Sequence, residues 1–236
     1  SGTIRMIYAG TIPNSSGSDL YIKNSTFNTQ RTDMTYVGYM YSTILNGSYE
    51  EAVQNNISSP IKTVLDDWYK ANVLEKGYSS YIADSGFCND RSVHSVTSAG
   101  YYTFKGAIRL KNNTPTLICE NIKNDLFTLT GNANGNGSLI YPIGLITLDE
   151  LMYSGIIKGS INKMSYLSTD FNYWTMTPSL YDSTVKASIG IRYSDEGFVT
   201  DNWVITSMAV RPVINLKTDT EISGGIGTKN DPFIVK

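Results

Sequence analysis

The sequence predicts an α+β fold, and three observations carry that prediction. Helical periodicity with clear caps is confined to the first two-thirds of the chain, the last third runs in short β-like segments, and no strand–helix–strand alternation recurs along the 236 residues. Mixed or antiparallel sheets, two main helices and long irregular loops are therefore expected, with no internal repeat. A chain of this length can bury a sizeable core. It reads as one domain over residues 1–236, with residues 1–2 resembling a cloning remnant and any leader or anchor cut away.

TIRMIYA (residues 3–9) alternates Ile, Met and Tyr with other residues and reads as a first strand. The turn-rich TIPNSSGSDLYIKNSTFNTQRTD follows, and TYVGYMYS (Thr35 to Ser42) predicts a buried strand. SYEEAVQNN, with Ser48 as cap, predicts a short helix. The clearest helix opens on Ser59 as N-cap and Pro60 in the first turn. Ile61, Val64, Leu65 and Trp68 lie at i, i+3, i+4 and i+7, and Gly77 ends it. A second helix starts at TLDEL, where Thr147 and Glu150 form a capping box, and stops at Gly155.

Residues 78–146 read as short strands and Gly- or Asn-rich turns. GNANGNGS (Gly131 to Ser138) is the most flexible of these turns, and it is no phosphate cradle because no G-K-[ST] follows it. The last third supplies NYWTMTPS, KASIGIRYS, GFVTD, WVITS and AVRPVINL. Turn signals at Gly227 and Asn230 precede a final short strand.

A net charge of −2 without any basic stripe excludes nucleic acid as a partner. Seventeen Tyr against seven Phe favours aromatics that sit half in water, as in extracellular β-rich proteins. No apolar run approaches the roughly 18–20 residues that span a bilayer. Two cysteines, Cys88 and Cys119, in a Ser/Thr/Asn-rich chain suggest one disulfide, and two separately buried thiols are the alternative. One histidine and no C-x-x-C leave too few ligands for a four-coordinate zinc site.

Chemistry is sparsely signalled. His94 lies in a Ser/Thr-rich stretch with no G-x-S-x-G elbow. Asp66–Asp67 and Asp149–Glu150 read as solvated helix faces or caps. Asp195–Glu196 read as a tight turn, with Asp201 and Asn202 close behind. Loop oxygens grouped in this way suggest Ca²⁺, although the D-x-[DN]-x-[DN]-G pattern is absent; no other cofactor is expected. Trp68 and Trp174 read as core. Trp203 is balanced between core and surface, and Tyr173, Tyr181 and Tyr193 cluster around predicted loops, where exposed aromatics grip sugars or proteins.

TIRMIYAGT, YVGYMY, SPIKTVLDDWYK, YIADSGFCNDRS, TPTLICENIKNDLFT, YPIGLITLDELMYSG, NYWTMTPS, AVRPVINLK and GTKNDPFIVK form an ordered series along nearly the whole chain. The series resembles surface and pilin-like proteins of Gram-positive gut and clostridial bacteria. In those proteins a pilin-like or otherwise anchored N-terminus carries a C-type lectin-like domain, distantly akin to formylglycine-generating enzymes. The resemblance implies that the first and last strands pair, TIRMIYA against VRPVINL. It also implies that residues 178–203 supply a binding surface, and that a natural N-terminal anchor or pilin helix is missing. The EPN and QPD triplets of calcium-dependent lectins are absent, and Asp201-Asn202-Trp203 holds the letters of W-N-D in scrambled order. Formylglycine-generating activity would need a redox cysteine pair or copper site near the C-terminus, whereas both cysteines precede residue 120.

The resulting expectation is a non-enzymatic, extracellular, cell-surface or pilus-associated adhesin that binds a host, mucin or neighbouring-cell glycan or protein. Tyr181, Tyr193, Asp195, Glu196, Asp201, Asn202 and Trp203 are its candidate ligand residues, and Cys88–Cys119 its staple. Pilus subunits are a second expected class of partner, and a membrane is met only through the missing anchor. Two other readings stand beside it: a structural minor pilin without external ligand, and a glycan-acting enzyme, which would need an acidic pair across a cleft.

Overall fold

The computed structural model describes residues 2–97, 100–157, 165–182, 187–192, 199–228 and 230–235. In chain order, β1 (Ile4–Ile7) and β2 (Lys23–Ser25) precede β3 (Met40–Tyr41), α1 (Tyr49–Ala52), β4 (Ile57–Ser58) and α2 (Pro60–Tyr69). Next come β5 (Phe87–Cys88), β6 (Val93–Val96), β7 (Tyr102–Phe104), α3 (Lys105–Asn112), α4 (Ile122–Asp125), β8 (Leu126–Phe127), β9 (Gly131–Asn132) and β10 (Gly135–Asn136). After α5 (Leu148–Tyr153) the described chain is β: β11 (Tyr173–Tyr181), β12 (Ser188–Arg192), β13 (Val199–Trp203), β14 (Met208–Val210), β15 (Val213–Leu216), β16 (Ile222–Gly224) and β17 (Ile234–Val235). The class is α+β.

Local chemistry explains the helices that were read from sequence. The Ser59 hydroxyl accepts the Lys62 N–H, Pro60 sits in the first turn, and Ile61, Leu65 and Tyr69 are buried. Trp68 lies at the margin of the core, half-buried, its ring edge-on to Tyr8 at 5.7 Å. The helix then passes through a π turn, Lys70–Leu74, and stops at Gly77, whose φ of 80° only glycine adopts freely. Ser48–Glu51 and Thr147–Glu150 both close reciprocal capping boxes.

Helix α3 lies inside the stretch expected to hold strands and turns. It has no side-chain cap and carries Gly106, so local propensity does not announce it. Packing holds it instead: a Cβ on Gly106 would come 2.2 Å from Thr177 Cγ2, so glycine lets the helix lie flush on β11. TYVGYMYS is buried as expected, yet it forms a 3-10 turn (Met34–Val37) before β3. GNANGNGS folds as the β9–β10 hairpin.

The main sheet runs β13-β12-β11-β14-β2, with β7 also pairing with β11 and β6 pairing with β7. β14 lies parallel to β11 through Tyr173↔Ala209; the other pairings in this sheet are antiparallel. NYWTMTPS is its central strand. Trp174 is fully buried, its indole N–H donates to Ser25 O at 2.8 Å, and its ring meets Phe27 edge-on. Thr177-Pro178 does not turn the chain outward, because β11 continues to Tyr181. Pro178 faces Ile189 at a register shift, where a missing N–H is tolerated.

β1 pairs with β15 from Ile4↔Leu216 to Ile7↔Val213, which joins TIRMIYA to VRPVINL. The last strand is a different one: β17 closes a hairpin with β16. The first strand therefore pairs with the VRPVINL strand and not with the chain's final strand.

A buried polar segment, Asn89 to Ser92, joins these parts. The Asn89 side chain accepts from Tyr39 N and donates to Val37 O and Met176 O. Arg91 donates from Nε and N to the Asp125 carboxylate at 2.7 and 2.8 Å, and from Nη1 and Nη2 to Met40 O, Asn55 Oδ1 and Asn124 O. Burial pushes the Asp125 carboxyl above its usual range, against the pull of Arg91. Removing one partner of such a pair strands the other charge. Asp125→Ala is expected to lower stability by about 3–5 kcal/mol in urea unfolding, and a loss below about 1 kcal/mol would show that the pair is not a structural anchor.

Candidate functional site

The residues expected at a ligand surface separate into two groups. Tyr193, Asp195 and Glu196 lie outside the described residues. Tyr181, Asp201, Asn202 and Trp203 lie on strands, at the end of β11 and along β13, where loops were expected.

The structure brings Tyr181 and Trp203 to a common support. The Tyr181 hydroxyl donates to Thr32 O at 2.9 Å, and its ring lies 6.2 Å from that of Tyr102. Burial, then the nearby Asp33 and Asp182, hold its phenol above its ordinary pKa, so it stays a neutral donor. One residue earlier in that loop, the Arg31 guanidinium lies over the Trp203 indole at 3.9 Å, while Arg31 O accepts from Ala187 N. Trp203 is 43% exposed. Sequence reading missed Arg31, since a lone arginine in TQRTD gives no periodic signal.

Asp201 and Asn202 are engaged locally. The Ser188 hydroxyl donates to Asp201 Oδ2 at 2.9 Å, and Asn202 Oδ1 accepts from Trp203 N and Thr206 Oγ1. Asp201 also borders a cavity of about 310 Å³ between β13 and α3. Among the described residues β13 is an edge of the main sheet, so Trp203 stands at the rim of that seven-stranded layer.

A second polar constellation was not foreseen. Arg109 on α3 reaches Asp149 through Nε and Nη2 at 2.7 and 2.8 Å, and Asp90 through Nη1 at 2.8 Å. Asp149 also accepts from Thr116 N. Burial disfavours the guanidinium charge, but the two carboxylates outweigh it and raise the pKa above the ordinary arginine value. Asp149, read from sequence as a solvated acid or cap, is thus a buried ion-pair partner. Asp66, read the same way, pairs with buried Lys62 at 2.6 Å. Helical spacing located these carboxylates, whereas their partners come from elements distant in sequence or from an unusually buried lysine.

Cys88 and Cys119 are joined in a disulfide across 31 residues, which sets aside the two-thiol alternative. Closing a loop of that size contributes about 3–4 kcal/mol in the chain-entropy model. The bond fixes the strap 113–121 beside the Arg109 cluster. Asp90 and Asp149 both face a cleft, yet Arg109 fills the space between them, so they do not form the open acidic pair that glycan hydrolysis uses. His94 is exposed on β6. Among the described residues no group of three His, Cys, Asp or Glu side chains is placed to hold a metal ion, and no helix is long and apolar enough to cross a membrane.

Comparison of the chain with protein-family models, curated proteins and solved structures finds no match in any of the three.

Arg109 should behave as a structural clamp. Arg109→Ala, which strands two buried carboxylates, is expected to cost about 3–5 kcal/mol. Arg109→Lys should restore only part of that, because lysine lacks the planar fork. Chemical denaturation of the three proteins checks both, and a lysine variant as stable as the parent would refute the bidentate account.

Proposed function

We propose that the chain is a non-enzymatic recognition domain of an extracellular, surface- or pilus-associated adhesin, and that its C-type lectin-like character extends to a ligand surface around Trp203. The observation that carries this reading is the half-exposed indole on an edge strand, stacked on the Arg31 guanidinium at 3.9 Å. The stack holds the ring in one orientation and leaves part of it facing solvent as a flat amphipathic platform. Such a ring loses little entropy on contact, which suits it to gripping a sugar face or a protein side chain.

Tyr181 acts here as a positioning residue, since its hydroxyl fixes Thr32 and with it the loop that carries Arg31. Asp201 and Asn202 extend the polar rim. The disulfide agrees with an oxidising compartment. The ordered series from TIRMIYA to GTKNDPFIVK supports a pilin-like or otherwise anchored setting, in which weak single sites gain strength by display in many copies.

The test is a glycan-array and host-protein screen with and without chelator, followed by the variants on whichever ligand is captured. Trp203→Ala should weaken capture at least tenfold, about 1.4 kcal/mol, with the melting temperature nearly unchanged. Arg31→Ala should weaken it less, and the Trp203→Ala/Tyr181→Ala pair should abolish it. Capture at parental strength by the double variant would overturn this placement, and loss of capture on chelation would add a cation to the site.

A further inference from the structure

A cavity of about 310 Å³ lies between the β1–β15 ribbon, α5 and the strap that carries Cys119. It shares no residue with the Trp203 face. The antiparallel register sets Asn215 directly opposite Arg5, so both side chains leave the ribbon on the same side, and both line the cavity. Asn215 is 2% exposed, and its buried amide nitrogen has no hydrogen-bond partner. An unpaired buried donor is costly, and an apolar residue at this position would avoid the cost.

The charges around the cavity narrow the ligand. Arg5 and Glu150 pair with each other, and Glu150 also accepts from Thr147 N and Oγ1. Asp149 is held by Arg109 and Thr116 N, and Asp90 by Arg109 and Ser92 N. Three carboxylates face two guanidiniums. An anion would meet excess negative charge, and a cation would have to displace an existing pair. What remains for a ligand is neutral: threonine and serine hydroxyls, the Asn215 amide, and an apolar lip of Leu117 and Ile118, each 73% exposed. A few convergent polar groups beside an apolar wall, in a space near the small end for ligand pockets, suit one pyranose ring with hydroxyls at its edge and C–H groups on its face.

We infer that this cavity is a carbohydrate subsite for one neutral sugar residue, with a sugar oxygen accepting from the Asn215 amide and the C–H face resting on Leu117 and Ile118. It rests on the recognition reading for its biological setting only, because the geometry is separate from the Trp203 surface. The strap that forms the lip is pinned by the disulfide, by Thr116 N on Asp149 and by the Tyr153 hydroxyl on Pro115 O, so the lip is preformed, while the Asn215 amide, which solvent does not reach, has to turn into the cavity as the sugar enters.

The full chain, labelled with ¹⁵N, is titrated with the methyl glycosides of glucose, galactose and N-acetylglucosamine. Saturable shifts are expected at the Asn215 side-chain amide and at the backbone amides of 116–119, with dissociation constants in the millimolar range. Asn215→Leu should weaken binding at least tenfold. Leu117→Ser/Ile118→Ser alters only exposed side chains and should weaken it similarly with the rest of the spectrum unchanged; Trp203→Ala should leave these shifts intact. The inference fails if no glycoside moves the strap, if both cleft variants bind as the parent does, or if sulfate or lysine produces the same shifts. Glycoside shifts confined to the Trp203 indole N–H would overturn the cleft and leave the adhesin surface standing.

Discussion

The fold depends on a four-residue buried polar segment, Asn89 to Ser92, more than on any single apolar contact. Asn89 binds backbone groups of the Tyr39 segment and of β11, Asp90 holds α3 through Arg109, and Arg91 gathers α4, β3 and Asn55. The disulfide then adds the 113–121 strap to the same point. Apolar burial supplies most of the driving force of folding, but it is non-directional. Short strands and one-turn helices have many near-equivalent ways to pack. Hydrogen bonds from fully buried side chains select one arrangement, because each alternative would leave a charge or an amide unpaired in a low dielectric. The segment's value is therefore its intolerance of alternatives.

That dependence explains what could and could not be read from the residues. Helices α1, α2 and α5 were legible because capping boxes and a helical stripe are local signals. NYWTMTPS was legible as core, since a mid-strand Trp174 alternating with Tyr173 and Thr175 has few other places to go. The pairing of β1 with β15 came from the resemblance and not from periodicity, as strands some 200 residues apart leave no mark of partnership in a single sequence. Helix α3 was illegible because its cause is tertiary: Gly106 clears Thr177, and Arg109 ties two acids from other elements. The same ties made Asp149 look like a surface acid, since a helix position shows its spacing and conceals its partner.

Site residues follow the same division. Trp203 was noticed for its residue type, and its exposure agrees with the surface alternative. The groups that give it a setting, Arg31 and Thr32, lie about 170 residues earlier and belong to a turn-rich stretch without pattern. Asn215 sits inside VRPVINLK, where alternation marks a strand but cannot distinguish a buried amide with a partner from one without.

The position of Trp203 also limits how the domain can engage a partner. Among the described residues β13 is a sheet edge, and an open edge invites another strand to add by backbone pairing. Here the edge reads Val199-Thr200-Asp201-Asn202-Trp203, so its middle is polar, and Asn202 turns its oxygen back onto Trp203 N and Thr206 Oγ1. Asp201 brings a carboxylate that an incoming strand would have to desolvate beside Ser188. Strand addition is opposed by those groups, whereas the indole projects beyond them with its orientation already set by Arg31. Contact through a preoriented side chain costs less ordering than contact through a newly paired backbone, and it leaves the sheet register untouched. The edge thus presents one aromatic ring and opposes the addition of a strand.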